Sequence, residues 1–171
     1  MDTNGKTRFV HLFEFVATID YTPYLCVPAA LEFRRKFCGG EEVIRKYSWE
    51  IARVGGKRVA SILGTDVMDN ETSTMTQCCF SNVRLPLTFA IRGQSTNNQG
   101  VFSPEEAGKI QKWLNATAVK DFDTYLQIAF HSGHMWVRLS GQIYLELRDF
   151  EWVGFRLQDL CERARKGEVS S

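Results

Sequence analysis

The stretch Thr124–Leu145, TYLQIAFHSGHMWVRLSGQIYL, decides the fold. Leu126, Ile128 and Phe130 alternate with Tyr125, Gln127, Ala129 and His131, the period of two that a strand with one covered face requires. Beyond Ser132-Gly133 the alternation resumes. Met135, Val137, Leu139, Ile143 and Leu145 are set against Trp136, Arg138, Ser140, Gln142 and Tyr144. A two-residue turn at Ser132-Gly133 pairs Phe130 with Met135, Ile128 with Val137, and Leu126 with Leu139. Every apolar residue of the pair then lands on one face, as register demands. The stretch reads as an antiparallel hairpin.

Helical signals lie on both sides of it. Asp149 reads as the cap of a final helix with Val153, Leu157, Leu160 and Ala164 at helical spacing, closed by Lys166-Gly167. Upstream, Ser103-Pro104-Glu105-Glu106 has the form of a capping box. It opens a helix to about Val119 that turns Ile110, Trp113, Leu114 and Thr117 inward. Gly93 to Gly100, GQSTNNQG, is a loop by composition. Cys79, Ser81, Val83, Leu85 and Leu87 share one side of a further strand whose end is marked by Pro86.

The longest helical candidate is Glu41 to Leu63. Ile44, Tyr47, Ile51 and Val54 recur at helical spacing, Val59, Ile62 and Leu63 extend the apolar side, and Gly55-Gly56 suggests a kink or a close helix contact. Thr22-Pro23 reads as a cap and first turn, followed by a helix from about Pro28 to Phe37 that stops at Gly39-Gly40. Helices around an antiparallel hairpin and one more strand make an α+β layer structure. Three segments follow: 1–22, a helical connection over 23–64, and an α+β domain over 65–171.

Composition narrows the function. A 171-residue chain with 44% hydrophobic and 24% charged residues is long enough for its own core. The net charge of +1 and the absence of a basic stripe exclude a nucleic-acid footprint. Five cysteines without framework spacing point to a reducing compartment, and no stretch reads as a leader or a membrane span, so the expectation is cytoplasmic. The sequons at Asn70 and Asn115 are then chance matches. Cys78, Cys79, His131 and His134 lack the usual zinc-ligand spacing, and no metal is expected.

Two places could carry chemistry. Arg138 sits mid-strand on the face opposite the apolar one, across from Gln127, where a planar guanidinium can grip a carboxylate or phosphate through two parallel hydrogen bonds. The plainer alternative is a solvent-facing arginine, or one paired with a structural acid. The second place is ATIDYTPYL, Ala17 to Leu25, a small and polar turn before a helix start. Hydroxyls and free backbone N–H groups there suit a phosphate, although Asx and Ser/Thr turn chemistry explains the same residues without a ligand.

Two motifs carry a family resemblance. FEFVATIDYTPYLCVPAALEF, Phe13 to Phe33, and WVRLSGQIYLELRDFEWVG, Trp136 to Gly154, resemble the class V aminotransferases, pyridoxal-phosphate (PLP) enzymes, particularly their isopenicillin-N-epimerase-like branch. The segments GGEEVIRKY, GGKRVASILGT and NVRLPL between them are similar to family segments as well, so the resemblance runs from about Phe13 to Arg163. It implies the C-terminal small domain of a fold-type I PLP-dependent transferase, and a dimer. Thr18 matches the threonine that reaches the PLP phosphate of a neighbouring subunit. Arg138 matches the arginine that holds the substrate's α-carboxylate. Ala17 departs from the family's usual glycine, which would strain this loop if φ must be positive.

None of the eight lysines falls in a motif that matches the family's cofactor lysine. The resemblance therefore implies a fragment of an epimerase, lyase or transaminase that binds amino-acid substrate and PLP only with a complementary large domain. The alternative is a non-catalytic product that docks on a partner.

Overall fold

The computed structural model describes residues 5–15, 17, 19–90 and 100–170. The chain divides into two units, 1–41 and 42–171.

The first unit holds three helices, α1 (Arg8–Phe13), α2 (Thr22–Leu25) and α3 (Val27–Phe37), none of which buries a residue. Thr22 is not the cap of α2 but its first residue, after Tyr21. The side chain of Asp20 takes over the capping role, accepting the Thr22 backbone N–H at 2.9 Å. Pro28 stands in the first turn of α3, where no donor is missed, so it starts that helix rather than breaking one. Gly39 and Gly40 stop it with φ of 79° and 88°.

In the second unit, α4 (Glu41–Leu63) has the expected bounds, and Ile44, Val59 and Leu63 face inward as expected, but the middle of its inner face differs. Tyr47 and Val54 are exposed, and the buried stripe is Ile44, Ser48, Ala52, Gly55, Gly56, Val59, Ala60 and Leu63. The face is chosen by size rather than by hydrophobicity, because what packs on it comes very close. A Cβ on Gly55 would sit 2.7 Å from Cε1 of Phe150, and one on Gly56 would sit 2.5 Å from Oγ of Ser81. The glycines mark a close contact.

That contact is with a three-stranded antiparallel sheet in the order β1–β5–β4, and with the last helix. The strands are β1 (Phe80–Arg84), β4 (Gln127–His131) and β5 (His134–Ser140). Phe130 faces Met135 and Ile128 faces Val137, the predicted register, across a turn in which Ser132 and Gly133 have φ of 49° and 77°. The third expected pair is absent: the ladder ends at Gln127 and Arg138, and Leu126 is buried just ahead of the strand. β5 also ends sooner than its alternation suggests, and Ile143 is exposed. After Ser140 the chain must turn at Gly141, which lies against α4 so tightly that a Cβ would be 3.0 Å from the Ala52 N and Cβ atoms.

Two short strands, β2 (Thr88–Phe89) and β3 (Val101–Phe102), pair in parallel, a pairing that the sequence does not announce. Phe89 packs its ring 4.8 Å from that of Phe130, tying this small sheet to the hairpin. Of the loop Gly93 to Gly100, only Gly100 lies within the described residues. A single 3-10 turn at Pro104–Glu106 leads into α5 (Ala107–Phe122), and Ser103 N–H donates to the Glu106 carboxylate at 2.8 Å as the capping box requires. Ile110, Leu114 and Thr117 are buried, while Trp113 packs half-covered at the edge of the core. The helix runs one turn past Val119, to a left-handed Asp123.

The final helix, α6 (Leu147–Arg165), begins after Glu146, and Asp149 is its third residue rather than its cap. The Asp149 carboxylate reaches back to accept the Glu146 N–H at 2.7 Å. Phe150, Leu157, Leu160 and Cys161 face the core, each large side chain contributing roughly 1.5–3 kcal/mol by burial. Gly154 lets α6 approach α4, where a Cβ would be 2.9 Å from Ile62 Cδ1. Arg58 on α4 binds Glu151 on α6 at 2.7 Å, and Arg163 gathers Asp121 and Glu168 at 2.9 Å each. Among the described residues no helix is long and apolar enough to cross a membrane.

Two tests follow from this packing. Gly55→Ala gains about 1 kcal/mol of helix propensity, but overpacking against the Phe150 ring costs about 1–3 kcal/mol. The expected outcome is a thermal midpoint lowered by a few degrees in circular dichroism; a raised midpoint would mean that α4 and Phe150 are not in contact. Burial pushes the Cys161 thiol up to about 12, so at neutral pH it remains protonated and unreactive. Alkylation read by mass spectrometry should modify exposed Cys26 in the native protein and Cys161 only after denaturation. Equal native rates would contradict the buried placement.

Candidate functional site

Covering one side of the three-stranded sheet leaves the other side open. Ser81, Val83, Ile128, Met135, Val137 and Leu139 point to the core, so the residues between them point away from it. Arg138 is at the centre of the open face, on the middle strand, with Asn82 of β1 and Gln127 of β4 as its direct neighbours. Strand pairing on both sides fixes its backbone. Its guanidinium carbon lies 5.0 Å from the centroid of the Phe80 ring, which supports one face of the fork through a cation–π contact.

No carboxylate pairs with Arg138 among the described residues. The alternative of an arginine held by a structural acid is therefore not what the structure shows. Asp66 lies near the same sheet, but it is engaged by Arg84.

Arg138 lines a cleft of about 520 Å3, open to solvent, together with Tyr125, Gln127, Ser140, Asp149 and Trp152. The Tyr125 hydroxyl donates to Gln127 Oε1 at 3.0 Å. At the far side, Asp149 is fixed by the capping bond at the start of α6. Tyr47 on α4 donates to the Leu145 carbonyl at 2.7 Å and so anchors Leu145, which also lines the cleft. A guanidinium fork, an amide and hydroxyls on an open sheet face can receive a planar anion such as a carboxylate.

Thr18, the other site residue expected from the sequence, lies outside the described residues. Its neighbour Ala17 has φ of 52°, in the left-handed region that glycine adopts freely and alanine does not. The backbone here does call for positive φ. Asp20 accepts hydrogen bonds from the side chain and backbone of Thr22, which hold its carboxyl below the usual range.

The remaining chemical candidates have structural employment. Cys78 Sγ contacts the Met75 and Phe80 carbonyls, and His134 meets the Trp136 ring edge-on. Among the described residues no group of three or more His, Cys, Asp or Glu is placed to hold a metal ion. Sequence reasoning missed Phe80 and Asp149 as site neighbours. Phe80 is nearly sixty positions from Arg138, and only the β1–β5 pairing brings them together; Asp149 reads from sequence as a helix cap alone.

No family model matches the chain. Among curated proteins, it is 37% identical over 173 residues to the "L-cysteine desulfhydrase-like protein lolT1" of Epichloe uncinata, covering 95% of this chain and 38% of that protein. It is also 37% identical to the "L-cysteine desulfhydrase-like protein lolT2" of the same organism, over 99% of this chain and 39% of the relative. The "Hercynylcysteine sulfoxide lyase" of Schizosaccharomyces pombe is 29% identical over 90% of this chain, which covers 32% of that lyase. The similarity thus takes in almost all of this chain, and the chain spans less than two fifths of each relative.

Proposed function

We propose that this chain is the carboxylate-gripping part of a PLP-dependent lyase that acts on a sulfur-containing amino acid. The observation that carries the reading is Arg138, fixed on the middle strand of an open sheet face with no acid among the described residues to neutralise it. The relatives support it from another side: their names describe desulfhydrase-like and sulfoxide lyase proteins, which favours the lyase over the epimerase and transaminase that the motifs also admit. In this reading the 42–171 unit is the small domain of a fold-type I, class V enzyme, and the whole works as a dimer in which Thr18 meets a cofactor phosphate.

The residues lining the cleft do not fit the cofactor itself. No lysine is among them, and their donors suit a carboxylate rather than an aldehyde. We assign cofactor attachment to a complementary large portion like the part of the relatives that this chain does not cover. What this chain supplies is substrate orientation: the Arg138 fork, backed by Phe80, sets the direction of the α-carboxylate and so of the bonds at the α-carbon.

Assembled with such a catalytic portion, the chain should give PLP-dependent release of sulfide from L-cysteine. Arg138→Ala should lower kcat/KM roughly 100-fold, the loss of about 3 kcal/mol expected for a charge-assisted bidentate contact. Arg138→Lys should retain more, because it keeps the charge and loses the fork. No gain in turnover on assembly, or turnover indifferent to Arg138→Ala, would overturn the reading.

A second reading rests on the first unit. Phe9, Phe13, Phe15, Tyr24, Leu25, Phe33 and Phe37 are all exposed there, a concentration of apolar surface that favours association. On this reading the chain is a non-catalytic module that docks on intact relatives. It should then elute in sizing chromatography as an oligomer or a complex; a monodisperse, thermally stable monomer counts against it.

A further inference from the structure

Arg138 does not face the cleft alone. The row Asn82–Arg138–Gln127 runs straight across the three strands, with a carboxamide residue on each side of Arg138 and no acid in the row. A carboxamide has two faces: an oxygen that accepts and an NH2 that donates. In Gln127 the choice between them is made by Tyr125, whose hydroxyl donates to Oε1 at 3.0 Å. With the oxygen taken, the amide group left for a bound molecule is the NH2. Tyr125, Gln127 and Arg138 all line the same cleft.

We propose that Gln127, oriented by Tyr125, is the second donor of the carboxylate site and makes it selective for a free, ionised carboxylate. This rests on the reading of Arg138 given above and adds the residue that sets the specificity of that site. A guanidinium and an NH2 lining one cleft offer only hydrogens. A carboxylate presents acceptors to both. A carboxamide or a peptide-linked carbonyl turns an N–H toward one of them, leaving two donors opposed and one unpaired. Gln127 is therefore the residue that discriminates an amino acid from its amide or a peptide. Gln127 and Tyr125 are positioning and specificity residues; the charge comes from Arg138.

The test uses the isotopically labelled 171-residue chain, with L-alanine and L-alaninamide as probes. L-Alanine should move the Arg138 Nε–H and Gln127 NH2 resonances along one saturation curve, and L-alaninamide should move neither. Gln127→Leu should weaken L-alanine binding roughly tenfold and Tyr125→Phe less. Gln127→Glu keeps the size of the side chain, so a merely structural role would survive it; here it should abolish binding, because the new acid pairs with Arg138. Both residues are exposed, and circular dichroism checks that the variants fold. If Arg138→Ala abolishes binding while Gln127→Leu and Gln127→Glu leave it unchanged, the proposal fails and the reading of Arg138 stands. Binding indifferent to Arg138→Ala overturns both. The absence of any L-alanine shift also overturns the proposal, whereas turnover in the assembled enzyme still judges the reading of Arg138.

Discussion

The close approach of α4 to the sheet and to α6 is the constraint on which the second unit depends. A helix whose inner stripe is Ser48, Ala52, Gly55 and Gly56 lies nearer to its neighbours than one carrying leucines could. The Ser81 hydroxyl then reaches the Ala52 carbonyl at 2.7 Å, a buried side-chain bond directly from strand to helix backbone. Gly141 and Gly154 meet the same helix from the other side with equally little clearance. Four glycines from three parts of the chain thus serve one interface. Bulk is supplied around it, by Val59, Phe150, Leu157 and Leu160.

This constraint determines which face of the sheet is covered and, through the period of two, which face is open. With Ser81, Val83 and Val137 turned to α4 and the core, Phe80, Asn82 and Arg138 have no choice of side. The early end of β5 follows as well. Gly141 must turn where it touches α4, so the cleft wall is made by Leu145 and the start of α6 instead of by a longer strand. The site is a by-product of where the helix can come close.

The hairpin, the bounds of α4 and the capping box before α5 were legible in the sequence because each rests on contacts between near neighbours along the chain. The middle of the inner face of α4 was not. Hydrophobic periodicity points to Tyr47 and Val54, but small residues go inside where the Phe150 ring, Ser81 and Gly141 press on the helix, and no count of apolar positions reveals that. The parallel pairing of Thr88–Phe89 with Val101–Phe102 is two residues deep, too short to leave a pattern. The start of α6 was placed three residues late because the capping-box acid Asp149 looks like a cap when the true cap is a glutamate. At the site, the direction of Arg138 and its partner Gln127 were readable from alternation, whereas Phe80 required knowing which strand pairs with β5.

An unpaired arginine is not by itself a site, and the other arginines show what separates this one. Arg34, Arg35, Arg53, Arg58, Arg84 and Arg163 each hold an acid. Arg45 and Arg156 resemble Arg138 in lying over aromatic rings, Arg45 over Trp49 and Arg156 between Phe122 and Trp152. Those two are on helices, where a long side chain covering apolar surface is ordinary packing. Arg138 is held on a central strand with backbone pairing on both sides, an aromatic ring behind its fork and an amide beside it. Rigid support for a charge with no internal partner is of little use to folding, since the same strand would pair as well with a threonine. It is of use to a molecule that arrives with its own negative charge.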